Sequence, residues 1–317
     1  MQVIKGLENY RKERPLSLAL GNFDGVHVGH QKLIRENIRD AARRGSLAAA
    51  LIFEPHPLRV LYPEKAPRML ISTARKIELF GALGLQLVIQ TPFTPDIARL
   101  TPEYFAQHVL YLTLGVASVA VGFNYTFGHK GAGTPDTLKS LGQKIGFAVQ
   151  VVPPVMVGDE VVSSTLVRKA LEAGDISAAY RYLGYWPMLE GEVVAGERRG
   201  GSIGFPTANL AVPEDIIIPG NGVYAAKIQV RGEIHDAVVN IGRKPTFHDT
   251  FPISIEAHIL DFHKSIYGDN VRLYFLEKIR DEKRFSSVEE LVAQIQSDAR
   301  LARQKAAEVK LHNFSIP

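Results

Sequence analysis

Two hydrophobic periodicities divide the chain. Up to about residue 186, short apolar runs alternate with stretches whose apolar positions return every three or four residues. Beyond Met188, apolar and polar positions mostly alternate one by one. The apolar runs at 18–20, 47–53, 85–89, 117–121 and 148–152 predict five buried strands. Helical spacing follows His30 (Leu33, Ile34, Ile38, Ala41) and fills 72–83, with Ile77, Phe80 and Leu83 on one face. Thr101-Pro102 is an N-cap and first-turn pair for a helix to about 114, and Ser163 or Ser164 caps one that runs to Ala173 and stops at Gly174. Strands separated by helices predict an α/β doubly wound parallel sheet, which binds ligands beyond the carboxyl ends of its strands.

The second half reads as β structure. Segments 189–195, 208–212, 222–230, 233–240, 253–260 and 271–275 have no intervening helix, and Arg231-Gly232 is a hairpin turn. Six antiparallel strands predict a small closed barrel. Ser286 with Glu289 reads as a capping box opening a terminal helix from Val288 to about 310. The period changes at Tyr185-Trp186-Pro187, so the domains are expected at 1–186 and 187–317.

The first candidate for chemistry is LALGNFDGVHVGHQKLI, a strand, a tight loop and a helix start. The strand breaks at Gly21, and the loop passes Asn22, Phe23, Asp24 and Gly25 before His27 and His30 flank Gly29 at the helix mouth. Free N–H groups and the helix dipole at such a mouth favour phosphate. Imidazoles can donate to phosphate oxygens, and a protonated one adds charge. A polar turn with two solvent histidines is the plain alternative. Two more loops belong to this half: residues 121–128 (VGFNYTFG), where Asn124 can read polar edges, and Ser163-Ser164-Thr165 with Arg168 one turn on. Each also reads as an ordinary surface loop or cap.

Three stretches stand out in the second half. In Gly204-Phe205-Pro206-Thr207-Ala208-Asn209, the hydroxyl of Thr207 and the amide of Asn209 are two apart and project to one face of an extended backbone. That is a hard-oxygen pair suited to Mg²⁺, or a plain loop-to-strand junction. Glu256, in the otherwise apolar stretch 253–259, reads as a carboxylate breaking the alternation, hence paired or catalytic. Residues 240–247 form a basic, glycine- and proline-kinked loop.

Composition narrows the classes. Of the 317 residues 46% are hydrophobic and 22% charged, as in ordinary globular proteins, and no apolar run is long enough to span a membrane. The N-terminal stretch lacks a secretory pattern. With no cysteine, disulfides and thiolate metal sites are excluded, and a cytoplasmic location is expected. Net charge is +4: residues 1–186 carry 21 Lys+Arg against 15 Asp+Glu, and 187–317 carry 16 against 18. A mildly basic first half suits polyanionic small molecules such as ATP and pyrophosphate. Its charge is too diffuse for nucleic acid.

GNFDGVHVGHQ resembles, almost letter for letter, the signature of the nucleotidyltransferases that make FAD in bacteria. With SSTLVR at the end of the same half, the chain resembles the bifunctional riboflavin kinase/FMN adenylyltransferases, or FAD synthetases. VGFNYTFG is similar to that family's GxDFxFG loop, with Asn124 where many relatives have Asp. GFPTAN, NIGRKPTF and IEAHILDF ahead of Tyr267-Gly268 are similar to riboflavin kinase. Gly201 replaces a common arginine, and Ser265 a common acidic residue.

The resemblance implies two reactions: ATP + riboflavin → ADP + FMN in the second domain, and ATP + FMN → FAD + pyrophosphate in the first. It implies Glu256 as general base, with Thr207 and Asn209 holding Mg²⁺. It implies that His27, His30, Ser164, Thr165 and Arg168 stabilise phosphate charge. Further nucleotide or substrate contacts are implied for Gly21, Asn22, Phe23, Asp24, Gly25, Gly29, Asn124, Ser163, Gly204, Phe205, Pro206 and Arg280. Neither a nucleic acid nor a membrane partner is expected, and the oligomeric state is left open. Competing readings are a nucleotidyltransferase with a silent barrel and a flavin- or RNA-binding regulator; intact Thr207, Asn209 and Glu256 speak against both.

Overall fold

The computed structural model describes residues 1–196, 203–243, 253–309 and 311. Internal contacts divide it into two compact units, Met1–Ser164 and the described residues from Thr165 onward.

The first unit is built on six parallel strands: β1 (Gln2–Lys5), β2 (Leu16–Leu20), β3 (Leu47–Phe53), β4 (Leu87–Thr91), β5 (Val116–Gly122) and β6 (Ala148–Val152). Their order is β1-β4-β3-β2-β5-β6. The chain winds from β2 to β3 and β4 in one direction, then returns to β5 and β6 in the other. The topological switch therefore falls between β2 and β5. The doubly wound parallel sheet is as expected; β1 is an addition. Its largely exposed edge position needs no apolar run, so no hydrophobic signal marks it. The fourth strand starts later than its apolar run, because the Leu85 N–H closes the preceding helix on the Phe80 carbonyl.

Helix α1 (Val28–Arg44) lies against the face of the sheet that bears Ser17 and Ser118. The Asn37 amide donates to the Ser17 and Ala49 carbonyls at 3.0 and 3.1 Å, and Asp40 accepts the Ser118 hydroxyl at 2.5 Å. Small strand residues (Ser17, Ala19, Ala48, Ala50) allow this close approach. Larger ones (Leu16, Leu18, Leu20, Leu51, Ile89, Val119) form the hydrophobic core. Helix α2 (Thr73–Leu83) starts one residue after the expected Ser72, which caps it instead. The 101–114 segment opens on the Thr101 cap and Pro102, but winds as a π-helix over Phe105–Thr113.

The second unit begins with α3 (Ser164–Ala173 continues from the first unit) and α4 (Ile176–Leu183). Contacts with the barrel tie the end of α3 down: the Gly220 N–H donates to the Leu171 carbonyl at 2.9 Å. Gly174, at φ 74°, comes so near the Tyr224 hydroxyl that a Cβ would lie 2.8 Å from it. The barrel strands are β7 (Met188–Val194), β8 (Ala208–Ala211), β9 (Gly222–Val230), β10 (Glu233–Arg243), β11 (Ile253–Ile259) and β12 (Asn270–Arg280). They close antiparallel in the order β8-β11-β10-β9-β12-β7. Arg231 and Gly232, both at positive φ, make the expected hairpin turn. Helix α5 (Val288–Ala307) covers one face, with Ala302 and Ala306 against Val223, Ala225, Val238 and Leu276. Its cap sits one residue later than the Ser286/Glu289 pattern. The Ser287 hydroxyl accepts the Glu290 N–H, while the Glu290 carboxylate returns to the Ser286 N–H and hydroxyl.

Candidate active sites

The loop after β2 leaves the sheet beside the switch point and is held in an unusual backbone conformation. Phe23 (φ 51°), Gly25 (φ 79°) and Val26 (φ 37°) all occupy positive φ. For a β-branched valine this is strained, and strain of that kind persists only where surrounding structure enforces it. The enforcing contacts are visible. Asp24 accepts the Leu70 N–H at 2.9 Å, the Asp24 carbonyl accepts the Ser164 hydroxyl at 2.9 Å, and Gln31 donates to the Val26 carbonyl at 2.9 Å. Lys76 of α2, buried, donates to the Asn22 carbonyl at 2.9 Å.

His27 is the N-cap of α1. Its Nδ1 accepts the His30 N–H at 3.4 Å, so its proton sits on Nε2, which is a donor. The two imidazoles stack with centroids 3.7 Å apart and 19° between planes. Gly29 belongs between them: a Cβ there would stand 3.2 Å from the His27 ring. With the His30 N–H taken by His27 Nδ1, the Val28 and Gly29 N–H groups are the first-turn donors left without a partner within the helix. Burial lowers the His27 pKa to about 4. His30 is also held well below the ordinary imidazole value, by burial first and then by His27 and Lys76. Both rings are therefore neutral near pH 7. A neutral ring can still donate one hydrogen bond, but the added positive charge that the sequence allowed for is absent.

The Asn124 loop leaves the carboxyl end of β5, the strand paired with β2, so the two loops flank the switch. Asn124 is exposed; Tyr125 beneath it is half-buried and stacks on Phe127. Ser164 reaches the His27 loop through the Asp24 carbonyl, and Ser163 is half-buried beside it. Thr165 and Arg168 belong to the same helix, exposed and half-buried respectively.

In the barrel, Asn209 on β8 stands directly opposite Glu256 on β11, and Asn240 on β10 stands opposite Glu256 from the other side. Ser254, Glu256 and His258 are half-buried, while Ile255, Ala257 and Ile259 are buried. Glu256 thus does not break an apolar alternation: it is the middle member of the strand's polar face. The Ser254 hydroxyl donates to it at 3.0 Å. Thr207 and Asn209 are half-buried, alternating with buried Ala208 and Leu210, so they share that polar face. Just before them, His258 bonds the Pro206 carbonyl at 2.9 Å and meets the Phe205 ring edge-on, while Gly204 turns at φ 87°. A cavity of about 370 Å³ shares Thr207 with this group but not Asn209 or Glu256; Ala208, Ala257 and Ile259, from the buried positions of the same strands, line it with Lys264 and Tyr267.

Arg280 is committed elsewhere. Its guanidinium bonds the buried Asp298 carboxylate of α5 at 2.8–3.2 Å and the Asp281 carbonyl at 3.0 Å. Gly201 and the 244–247 part of the kinked loop lie outside the described residues.

The pattern of the FAD synthetase family matches residues 10–166, and that of riboflavin kinase matches residues 183–306. A bifunctional riboflavin kinase/FMN adenylyltransferase of Listeria monocytogenes is 39% identical over 282 residues, 89% of each chain. The chain belongs to the bifunctional riboflavin kinase/FMN adenylyltransferase family. The relative of that name in Escherichia coli K12 is 34% identical over 96% of this chain and 97% of its own. A crystal structure from Streptococcus pneumoniae, titled a macrolide-efflux protein, has the same fold over 95% of this chain, at a TM-score of 0.86 and 30% identity. Among the described residues here, no helix is long and apolar enough to cross a membrane. As in its family, the chain joins an N-terminal FAD synthetase region to a C-terminal flavokinase region, and both are transferases using ATP.

Sequence reasoning missed the support of the first site. Lys76 and Phe80 lie some fifty residues from the loop that they touch, and nothing in a helical pattern says which loop a helix face will meet. It also missed Asn240 as a neighbour of Glu256, which only strand register reveals.

Proposed function

We propose that each half carries one reaction at the residues just described, with functional regions meeting near 186. The family matches, ending at 166 and resuming at 183, support that division. In the barrel, Glu256 accepts the proton of the riboflavin 5′-hydroxyl as it attacks the γ-phosphorus of ATP. The observation that carries this is the pairing of Glu256 with Asn209 across two strands on a solvent-facing polar face, beside Thr207.

Thr207 and Asn209 would hold Mg²⁺, which when bound neutralises phosphate charge. The donor set fits: two hard oxygens beside one carboxylate, with no cluster of three or more His, Cys, Asp or Glu able to hold a metal among the described residues. An ion with so few protein ligands keeps waters and phosphate oxygens, as Mg²⁺ does.

In the first half, the phosphate of FMN attacks the α-phosphorus of ATP and pyrophosphate leaves. FMN phosphate is ionised at neutral pH and needs no base. His27 Nε2–H, His30 and the Val28 and Gly29 amides of α1 donate to the phosphate oxygens, with Ser164, Thr165 and Arg168 as further donors. Gly21, Gly25 and Gly29 let the nucleotide approach the backbone, and Asn124 reads its polar edge. Arg280 is read as a tie between β12 and α5 rather than as a nucleotide contact, since three of its five N–H donors go to Asp298 and the Asp281 carbonyl. ATP, riboflavin, FMN, FAD, ADP and pyrophosphate are the small-molecule partners. The lack of cysteine and the use of ATP support a cytoplasmic location.

The test is incubation with riboflavin, ATP and Mg²⁺, with FMN and FAD resolved chromatographically over time. FMN should appear first and FAD follow, and chelating the metal should stop flavin phosphorylation. Failure to form either product with folded protein would overturn the reading.

A further inference from the structure

One buried cation has no part in the chemistry above. Lys76 is 3% exposed, and its ammonium donates to the Asn22 carbonyl at 2.9 Å, beneath the strained loop. One helical turn on, Phe80 is fully buried and meets Phe23 edge-on, centroids 5.3 Å apart. Phe23 in turn meets the His30 ring edge-on at 5.3 Å, and His30 stacks on His27. Ahead of the helix, the Leu70 N–H holds the Asp24 carboxylate. Residues 70–80 thus grip Asn22, Phe23 and Asp24 in succession, the stretch where the backbone enters positive φ.

We propose that Lys76 is a positioning residue for adenylyl transfer: its ammonium on the Asn22 carbonyl, with the Phe80 ring on Phe23, holds the loop in its strained form and keeps His30 stacked on His27. The inference rests on the assignment of the His27/His30 loop to that reaction.

Burying an ammonium is costly unless its hydrogen bonds and counter-charges are in place. Asp24 in the loop and Glu54 beyond β3 supply the counter-charge, while burial works against the cation. A hydrophobic side chain at 76 would fill the same space without that cost, so the charge is explained by what it does to the loop. It acts in two ways. It satisfies a carbonyl that the strained turn leaves pointing inward, and it repels a proton from the His30 ring. The charged or titratable groups bearing on His30 are His27 and Lys76, and both oppose its protonation. A neutral His30 keeps the stack of two rings free of a buried cation and its ring nitrogens available to phosphate oxygens.

The experiment uses the full-length enzyme, assayed separately for riboflavin phosphorylation and for FAD formation from supplied FMN. Lys76→Met should lower kcat for FAD formation by about a hundredfold, as a shift of an ångström in a catalytic group does, with KM for ATP within a few-fold and riboflavin phosphorylation unchanged. The acidic limb of its pH profile should move to higher pH, because burial and His27 still oppose protonation of His30 but the Lys76 charge no longer does. Phe80→Leu, which loosens the grip without removing charge, should lower kcat while leaving that limb in place. A Lys76→Met enzyme with parental kcat and an unmoved limb overturns the proposal, and so does a loss of rate with no movement of the limb.

Should Lys76→Met fail to fold, the His30 resonance of the parent protein, assigned by comparison with His30→Asn, decides: titration at or above the ordinary imidazole value overturns the proposal. His30→Ala separates the two readings. Unchanged FAD synthesis there removes the site assignment itself, whereas a strong loss beside an unaffected Lys76→Met removes only the role of Lys76.

Discussion

Asn209 and Glu256 face each other across β8 and β11, one residue opposite the other in the antiparallel register. Side chains directly opposite in this way are near neighbours, with Cβ atoms about 5 Å apart. A carboxylate and a hard-oxygen amide so placed can act on one substrate hydroxyl and the phosphates beside it.

Replacing Glu256 by Gln keeps its shape and removes the base. FMN formation should fall by about a hundred- to ten-thousandfold, the usual contribution of a positioned base, while FAD formation from supplied FMN continues. Chromatographic assay of the two products gives the answer. A variant making FMN at the parental rate would remove Glu256 from that role.

At the other site, His30→Ala should cut FAD synthesis by roughly a hundred- to a thousandfold, the effect of losing one preorganised donor. Riboflavin phosphorylation should stay within a few-fold of the parent, so FMN accumulates. Equal loss of both activities in a variant with parental circular dichroism would refute the two-site scheme.

The buried His27 makes stability depend on pH. Its folded pKa is lowered to about 4, whereas an unfolded histidine titrates near 6.5. Between those values the unfolded chain binds the proton and the folded one does not. The contribution is therefore fully present above about pH 6.5 and is lost as pH falls toward 4. Urea unfolding at pH 7 and pH 4.5 should show the loss in the parent and a smaller one in His27→Asn. Equal losses would mean that His27 is not the group responsible.

Arg280 and Asp298 join β12 to α5, and Asp298 is only 3% exposed. Replacing Arg280 by Met would leave a buried carboxylate with Gln294 as its remaining side-chain donor of those described here. Loss of one partner of a buried pair typically costs about 3–5 kcal/mol. The midpoint of urea unfolding should drop accordingly, with KM for ATP in the kinase reaction of the folded variant near the parental value. A large rise in KM at unchanged stability would return Arg280 to the nucleotide site.

The sequence by itself determined the two fold classes, because each buries apolar surface with its own period. The parallel sheet is written in short apolar runs, and the barrel in one-by-one alternation. It also determined the His27/Gly29/His30 helix mouth, since a strand, a glycine turn and a helix start are local and need no distant partner. Edge strand β1 escaped because its largely exposed position demands no run of apolar residues beyond Val3 and Ile4. The face on which Glu256 sits was misjudged: with Ser254 and His258 counted as polar, the strand alternates regularly, and only register shows Asn209 and Asn240 on either side. The neutral state of the histidines, the strained turn of Phe23 and Val26, and the grip of Lys76 were decided by tertiary structure alone. Proton affinity depends on burial and neighbouring charge, and a strained backbone on contacts that hold it. Both come from segments far apart in the chain, so no local pattern can record them.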